Sequence, residues 1–325
     1  MFELKVGILG AGAIAGTMAK TLQKMRKADA YAVASRDLEK ALKFASANGV
    51  EKAYGSYEEM LEDKKIGLVY IATPHTMHFE HAKLCIDYGK PVIVEKPFCV
   101  NAKQAEELFA YAKEKGVFIT EAIWTRYLPM RETIDDLLFG GIIGEPKILT
   151  ANLGYEITGK ERLRSMELAG GALLDVGIYP LHFAMMVFGH DIKEIVSTCT
   201  YFETGVDASD SITIHYKDGK MAILSASMVA TSDRQGIIQG TDGYMIIENI
   251  NNYETITVYN NAHKKILVKK RPKQITGFEY EIEACRIALK DKELETDYAP
   301  HKETIRALSI MDKLRHKWGI KYPCE

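Results

Sequence analysis

"LKVGILGAGAIAG", Leu4 to Gly16, reads as a strand, a glycine turn and the start of a helix in one short run. "LKVGILG" has the apolar density of a buried strand, and "AIAGTMAKTLQKM" continues as a helix. Between them Gly10, Gly12 and Ala15 form a G-x-G-x-x-A pattern. Alone that pattern is weak, and a purely structural βα turn would carry it too. Its place between strand and helix is the context a dinucleotide fingerprint requires. Gly10 permits the tight turn, Gly12 the close approach of a pyrophosphate, and Ala15 the tight packing of helix on strand. The first helical residues, Ala13 and Ile14, then offer backbone N–H groups to phosphate.

Outward from this stretch the pattern repeats. "AYAVAS" precedes the helical "DLEKALKFASANG", with Gly49 placed to stop the helix. "IGLVYIATP" reads as a third strand followed by "HFEHAKLCIDYG", and "PVIVEKP" as a fourth followed by "NAKQAEELFAYAKEKG". "VFITEAI" closes the series. Such alternation predicts βαβ crossovers and a doubly wound parallel sheet, a Rossmann domain over residues 1–122. After Trp124 the texture changes: strand-like segments crowd between Ile195 and Lys270, Asp218-Gly219 makes a good hairpin turn, and helical stretches follow near 277–290 and 301–317. Residues 123–325 are expected to form an α+β domain on a large, mostly antiparallel sheet.

Composition narrows the function. At 325 residues two domains are expected. Lys+Arg 42 against Asp+Glu 44 leaves a net charge of −2 with no long run of one sign, against nucleic-acid or membrane-surface binding. Five scattered cysteines in no metal-ligand spacing predict a reduced, cytoplasmic protein without a bound metal. The chain runs straight into a strand, so no signal peptide is expected, and no apolar run is long enough for a membrane span.

The end of the second strand bears on which dinucleotide binds. NAD enzymes usually carry an acid there for the ribose 2′-hydroxyl. This chain has Ser35-Arg36, with Asp37 displaced into the turn. A guanidinium pairs with a 2′-phosphate, so NADP is favoured, with NAD the alternative. Ser35 or Asp37 capping the next helix while Arg36 is solvated is the competing reading.

"PVIVEKPF" then becomes intelligible. In an open parallel sheet, ligands bind outside the carboxyl ends of the strands. Glu95 and Lys96 stand at such an end, and Pro97 restricts Lys96 to extended backbone. Together with "ATPHTMH" (Ala72–His78), "EAIWTRYLP" (Glu121–Pro129) and "GGALLDVGIYPLH", the chain resembles the Gfo/Idh/MocA oxidoreductases along its whole length. The resemblance places Lys96 near nicotinamide and substrate, and Ala72, Thr73, Pro74, His75 and His78 on the nicotinamide side. It sets Glu95, Trp124 and Arg126 close to the cofactor, and implies a homodimer closed by the second sheet.

Where many members carry an aspartate and a histidine four residues on, this chain has Asp175 and Tyr179, on one face of a helix. Tyrosine there resembles glucose–fructose oxidoreductase, dimeric dihydrodiol dehydrogenases and NADP-dependent D-xylose dehydrogenases, the last two most closely. The implied substrate is a sugar, polyol or trans-dihydrodiol, oxidised between the two domains. A tyrosine titrates near 10 and needs a neighbouring cation to serve as a base. Tyr179 is therefore expected as acid/base, Lys96 as its electrostatic partner, and Asp175 as the orienting acceptor. Gly177 and Pro180 both weaken that helix, as happens where function overrides local preference. His182 reads equally as a core histidine, Met185 and Met186 as packing, and "GYEITGKERLR" with Tyr155, Arg162 and Arg164 as substrate cover or plain surface loop. Rival classes are a non-catalytic NAD(P)-binding regulator and an NAD-assisted glycosidase.

Overall fold

A computed structural model describes residues 3–325. The chain divides into two compact units, one formed by the described residues up to Tyr127 with Gln274–Leu308, the other by Leu128–Lys273 with Ser309–Glu325. Gln274–Leu308 thus rejoins the dinucleotide-binding half, a return that a division at residue 122 does not include.

The first unit alternates as expected: β1 (Leu4–Leu9), α1 (Ala13–Leu22), β2 (Ala28–Ala34), α2 (Leu38–Asn48), β3 (Lys52–Tyr54), α3 (Tyr57–Glu62), β4 (Leu68–Ile71), α4 (His78–Asp87), β5 (Val92–Glu95), α5 (Ala102–Lys115) and β6 (Ile119–Ala122). All strands are parallel, in the order β3-β2-β1-β4-β5-β6. Every residue of β4, β5 and β6 is buried, which is why these segments read as apolar runs without alternation. Gly49 ends α2 at φ +61° and Gly116 ends α5 at φ +65°, the left-handed caps that glycine supplies without strain. The strand order reverses between β1 and β4, and that switch point opens the ligand crevice of such sheets.

One expectation is corrected here. "PVIVE" is the fifth strand and not the fourth, because β3 and α3 intervene. β3 has three residues and lies at the sheet edge, too short to show a period. What fixes it is Asp63, whose carboxylate accepts from the hydroxyls of Tyr31 (3.0 Å) and Tyr54 (2.7 Å) and from Lys52 Nζ (2.8 Å).

The second unit contains α6 (Pro129–Phe139), β7 (Pro146–Gly154), α7 (Ile178–Phe188), β8 (Ile192–Tyr201), β9 (Asp207–Tyr216), β10 (Met221–Ser227), β11 (Gly236–Gly240), β12 (Gly243–Glu248), β13 (Thr255–Asn260) and β14 (Lys265–Lys270). They form one sheet, β14-β13-β12-β11-β7-β10-β9-β8, antiparallel except where β7 pairs with β10. Asp218-Gly219 turns between β9 and β10 with Gly219 at φ +88°, as its sequence predicts. Two helices follow, α8 (Glu279–Asp291) and α9 (His301–Lys317). α8 belongs to the first unit, where its Ile282 and Cys285 share a buried cluster with Leu4, Val6 and Met18.

One face of the large sheet packs under α7, through inward residues such as Leu149, Ala222 and Leu224. The other is open. Its registers align one residue per strand into a row, Val196, Thr213, Ile223, Thr150, Ile237, Ile246, Thr257 and Val268, every one apolar or β-branched. Val196 (51%), Ile223 (40%) and Val268 (44%) stay exposed on it.

Candidate active site

The glycine turn has the geometry its sequence implies. Gly10 sits at φ +106°, and a Cβ there would lie 2.9 Å from the Ala72 carbonyl oxygen at the end of β4. Gly12 precedes α1 with no side-chain cap, and its missing Cβ faces open space. The N–H groups of the first turn, Ala13 and Ile14 included, therefore have no capping side chain, while Ala15 is fully buried against the sheet. A pyrophosphate fits this cradle, since bare helix N–H groups and room beside a glycine are what it needs.

At the end of β2 the structure shows the capping. Asp37 caps α2 by accepting from Lys40 N–H at 3.2 Å, and Ser35 Oγ accepts from Asp37 N–H at 3.3 Å. Arg36 is exposed and lies against the Tyr57 phenol, whose pKa is raised by burial and partly offset by that guanidinium. Asp37 is thus committed to the helix start, and Arg36 stands exposed beside it.

The end of β4 holds the predicted Thr73-Pro74-His75 segment. His75 is buried beside His78, ring centroids 5.8 Å apart. His78 is fully buried, with Nδ1 2.8 Å from the Pro97 carbonyl and Nε2 2.9 Å from that of Thr73. It braces the lysine loop against the β4 end. Thr73 Oγ1 turns to His81 Nδ1 at 3.0 Å.

Glu95 is buried, accepting from the Tyr70 hydroxyl through Oε1 and from Lys96 N–H at 3.1 Å through Oε2. Lys96, half-buried and next to a cis Lys96–Pro97 peptide, stands directly after β5. Trp124 stacks on Phe278 at 4.7 Å. Arg126, 6% exposed, donates from Nε to the Tyr298 carbonyl at 2.8 Å, and its Nη2 lies 3.6 Å from Glu303. The structure thus gives Arg126 an internal bracing part beside its expected place near the cofactor. The sequence reading missed Glu121, buried under the lysine loop, where it accepts from Phe98 N–H at 3.0 Å and the Thr304 hydroxyl at 2.7 Å. Burial raises its pKa, with Arg126 opposing.

In the second unit, Leu173–Gly177 forms a single wide π turn leading into α7, a feature frequent at functional sites. Asp175 lies on this turn and Tyr179 in the next, 9% exposed. Arg162 Nη2 is 3.8 Å from Asp175 Oδ1, so this arginine of the "GKERLR" loop has a defined partner. His182 is fully buried and belongs to the core of α7. Beneath the π turn are two residues the sequence did not single out, Asp207 and Asp210 of β9. Asp207 accepts from Leu173 N–H, and Asp210 approaches Gly177, where a Cβ would be 3.2 Å from its Oδ2. Burial raises both pKa values, Asp210 well above the carboxylate range. Three apart, the two acids fall on opposite faces of an ideal strand, so spacing gives no sign that both are buried. Among the described residues, no group of three or more His, Cys, Asp or Glu could hold a metal ion.

A parallel sheet in this order, with a bare glycine-turned helix start at its switch point, defines an NAD(P)-binding Rossmann oxidoreductase. Residues 4–122 match the oxidoreductase family with NAD-binding Rossmann fold, and residues 131–246 match the GFO/IDH/MocA C-terminal domain. The chain belongs to the Gfo/Idh/MocA family. It is 36% identical over 327 residues to the trans-1,2-dihydrobenzene-1,2-diol dehydrogenase of Xenopus tropicalis, covering 98% of this chain and 99% of that protein. The enzyme of the same name from Homo sapiens is 32% identical, with 98% of each covered. Among solved structures, KijD10, a 3-ketoreductase from Actinomadura kijaniata in complex with NADP and TDP-benzene, superposes with a TM-score of 0.87 at 24% identity over 97% of each chain. An aldose–aldose oxidoreductase from Caulobacter crescentus gives 0.85 at 17% identity over 98% of each. These structures share the fold.

Proposed function

We propose that this protein is an NADP-preferring dehydrogenase of secondary hydroxyls, with trans-dihydrodiols, sugars and polyols as the substrate classes. The observation that carries the substrate class is the near-full-length likeness to dihydrodiol dehydrogenases at 32–36% identity. Arg36, beside an Asp37 already spent on capping α2, supports the preference for NADP.

NADP accepts hydride at the nicotinamide ring when bound. The rest of the chemistry falls to the protein. Oxidation needs the hydroxyl proton removed as the C–H bond breaks, and Tyr179 takes that proton at its phenolic oxygen. Lys96 presents an ammonium that favours the phenolate and holds the substrate oxygen. Asp175, paired with Arg162, accepts a hydrogen bond from a second hydroxyl and orients the substrate. In the reducing direction the same proton returns from Tyr179 to the new alkoxide.

The open row of the large sheet supports a homodimer through that face, since an exposed β-branched row of this extent is stabilised by a second copy. The five cysteines are all free, which fits a reducing cytoplasm. Among the described residues, no helix is long and apolar enough to cross a membrane.

Initial rates of NADP+ and NAD+ reduction against trans-dihydrodiols, aldoses and polyols test the reading. A rate with NADP+ and one diol or aldose supports it. Tight cofactor binding with no reduction by any member of the panel overturns it.

A further inference from the structure

Between α3 and α4 lies a cavity of about 670 Å3, lined by Arg36, Tyr57, Glu58, Met77, His81 and Lys83 among others. Its inner wall is a chain of contacts leading from the glycine turn to Arg36. The Thr73 methyl would lie 3.2 Å from a Cβ on Gly10, and Thr73 Oγ1 is 3.0 Å from His81 Nδ1. The His81 ring meets the Tyr57 ring edge-on at 4.8 Å, and the Tyr57 phenol faces Arg36. A dinucleotide with its pyrophosphate on Gly10 and Gly12 has the ribose of its adenosine half at the carboxyl end of β2, where Arg36 stands. That half runs along this wall, with the ribose toward Arg36. His81, 8% exposed, stands midway. With Nδ1 turned to Thr73, Nε2 is the ring nitrogen left for the cavity.

We propose that His81 is a second ligand, beside Arg36, for the 2′-phosphate of NADP, and that it takes up a proton from solvent when that phosphate binds. The inference rests on the NADP reading above and adds a residue that discriminates between the two cofactors. The charged groups around His81 set its response. Arg36 from the β2–α2 turn and His78 from its own helix disfavour a proton, and Glu58 from α3 favours one. Glu80, Lys83 and Asp87 of α4 also line the cavity, the last two as an ion pair at 3.4 Å. Burial foremost, then His78 and Arg36, hold the ring neutral, with its pKa lowered to about 4. A phosphate dianion placed against it reverses that balance, because an opposite charge within a few ångströms favours the charged form. Uptake of the proton turns Nε2 into a donor whichever tautomer the free protein holds.

The test is isothermal titration of the purified protein with NADP+ and with NAD+, in buffers of different ionisation enthalpy between pH 7 and pH 8.5. There the free 2′-phosphate, with a second pKa near 6, is already a dianion. The expected result is net proton uptake with NADP+ and none with NAD+. His81→Gln should abolish that uptake and weaken NADP+ by about tenfold, a loss typical of one charge-assisted hydrogen bond, while NAD+ changes less than about twofold. Wild-type binding of NADP+ without proton uptake overturns the proposal with no variant needed, as does a His81→Gln protein that keeps both affinity and uptake. The NADP reading fails separately, if wild type binds NAD+ as tightly as NADP+ and Arg36→Ala changes neither.

Discussion

The carboxylate of Asp207 accepts a hydrogen bond from the backbone N–H of Leu173 at 2.5 Å, closing the start of the turn that carries Asp175 from a strand 34 positions further along. Asp207 is fully buried, and beside it Asp210, 4% exposed, has no partner for either oxygen unless one of the two acids is protonated. Burial, and then the Asp207 charge, push Asp210 well above the ordinary carboxylate range, so Asp210 holds the proton and donates to Asp207. A group with a raised folded pKa adds stability that is complete below its unfolded value and is lost as pH rises through the folded one. Wild-type stability should therefore fall as pH rises from about 4 upward through this pair. Asp210→Asn keeps the shape and the donor but cannot ionise. Its melting temperature should change less between pH 5 and pH 8 than that of wild type, and equal slopes in calorimetry would refute the shared proton. Asp207→Ala strands the Leu173 N–H and should cost about 1–3 kcal/mol at any pH.

The two glycines of the nucleotide turn should fail in different ways. Gly10→Ala meets both a φ of +106° and a carbonyl oxygen at 2.9 Å, so it should lower the melting temperature, at a cost of about 1–3 kcal/mol, as well as cofactor affinity. Gly12 has φ −96° and nothing within 4 Å of a built Cβ. Gly12→Ala should melt like wild type and still lose NADP+ affinity, because the added methyl stands where the pyrophosphate comes close. Fluorescence titration with NADPH alongside a thermal melt separates the cases. Unchanged affinity in Gly12→Ala would remove the pyrophosphate from this turn.

What the sequence revealed follows from how local its signals are. The strand–glycine–helix turn, the left-handed stop at Gly49 and the Asp218-Gly219 hairpin each lie within a few residues, and each appears where its pattern put it. β3 and α3 were invisible because three strand residues show no period, and Asp63, which secures them, gathers three partners from two separate strands, β2 and β3. The cavity beside Arg36 was lost with them, since Tyr57 begins α3. His78 and His81, three apart, share a helix face, yet only the fold gives His78 to two backbone carbonyls and His81 to Thr73. Arg162 reads equally as substrate cover or plain surface loop in the sequence, and nothing in its spacing shows that it meets Asp175. Long-range pairings of this kind leave no trace in spacing.

The open face of the large sheet makes its own prediction. Ile223 stands between Thr213 and Thr150 in the β-branched row, 40% exposed. If this face closes a dimer, Ile223→Lys places a charge in its middle and should shift the protein to monomer by analytical ultracentrifugation. Its melting temperature should fall only by the stability that dimerisation adds at that concentration. A wild-type protein that sediments as a monomer at micromolar concentration, or a variant that remains a dimer, would place any interface elsewhere.

The roles of Tyr179 and Lys96 are separable by pH and by variant. Tyr179→Phe removes the proton acceptor and leaves the ring, so it should lower kcat by about 10²–10⁴-fold, with NADP+ affinity preserved because the cofactor cradle lies on β1, β2 and β4. Lys96→Met keeps the length of the side chain and removes its charge. If the ammonium favours the phenolate, the rising acid-side limb of the oxidation rate should move to higher pH in this variant, and KM should rise as the substrate oxygen loses its partner. Lys96→Arg retains the charge and should hold the pH profile nearer wild type than Lys96→Met does. A Tyr179→Phe enzyme with near-normal turnover would transfer the acid/base role to another group. A Lys96→Met enzyme with an unmoved pH profile would leave lysine as a substrate anchor alone.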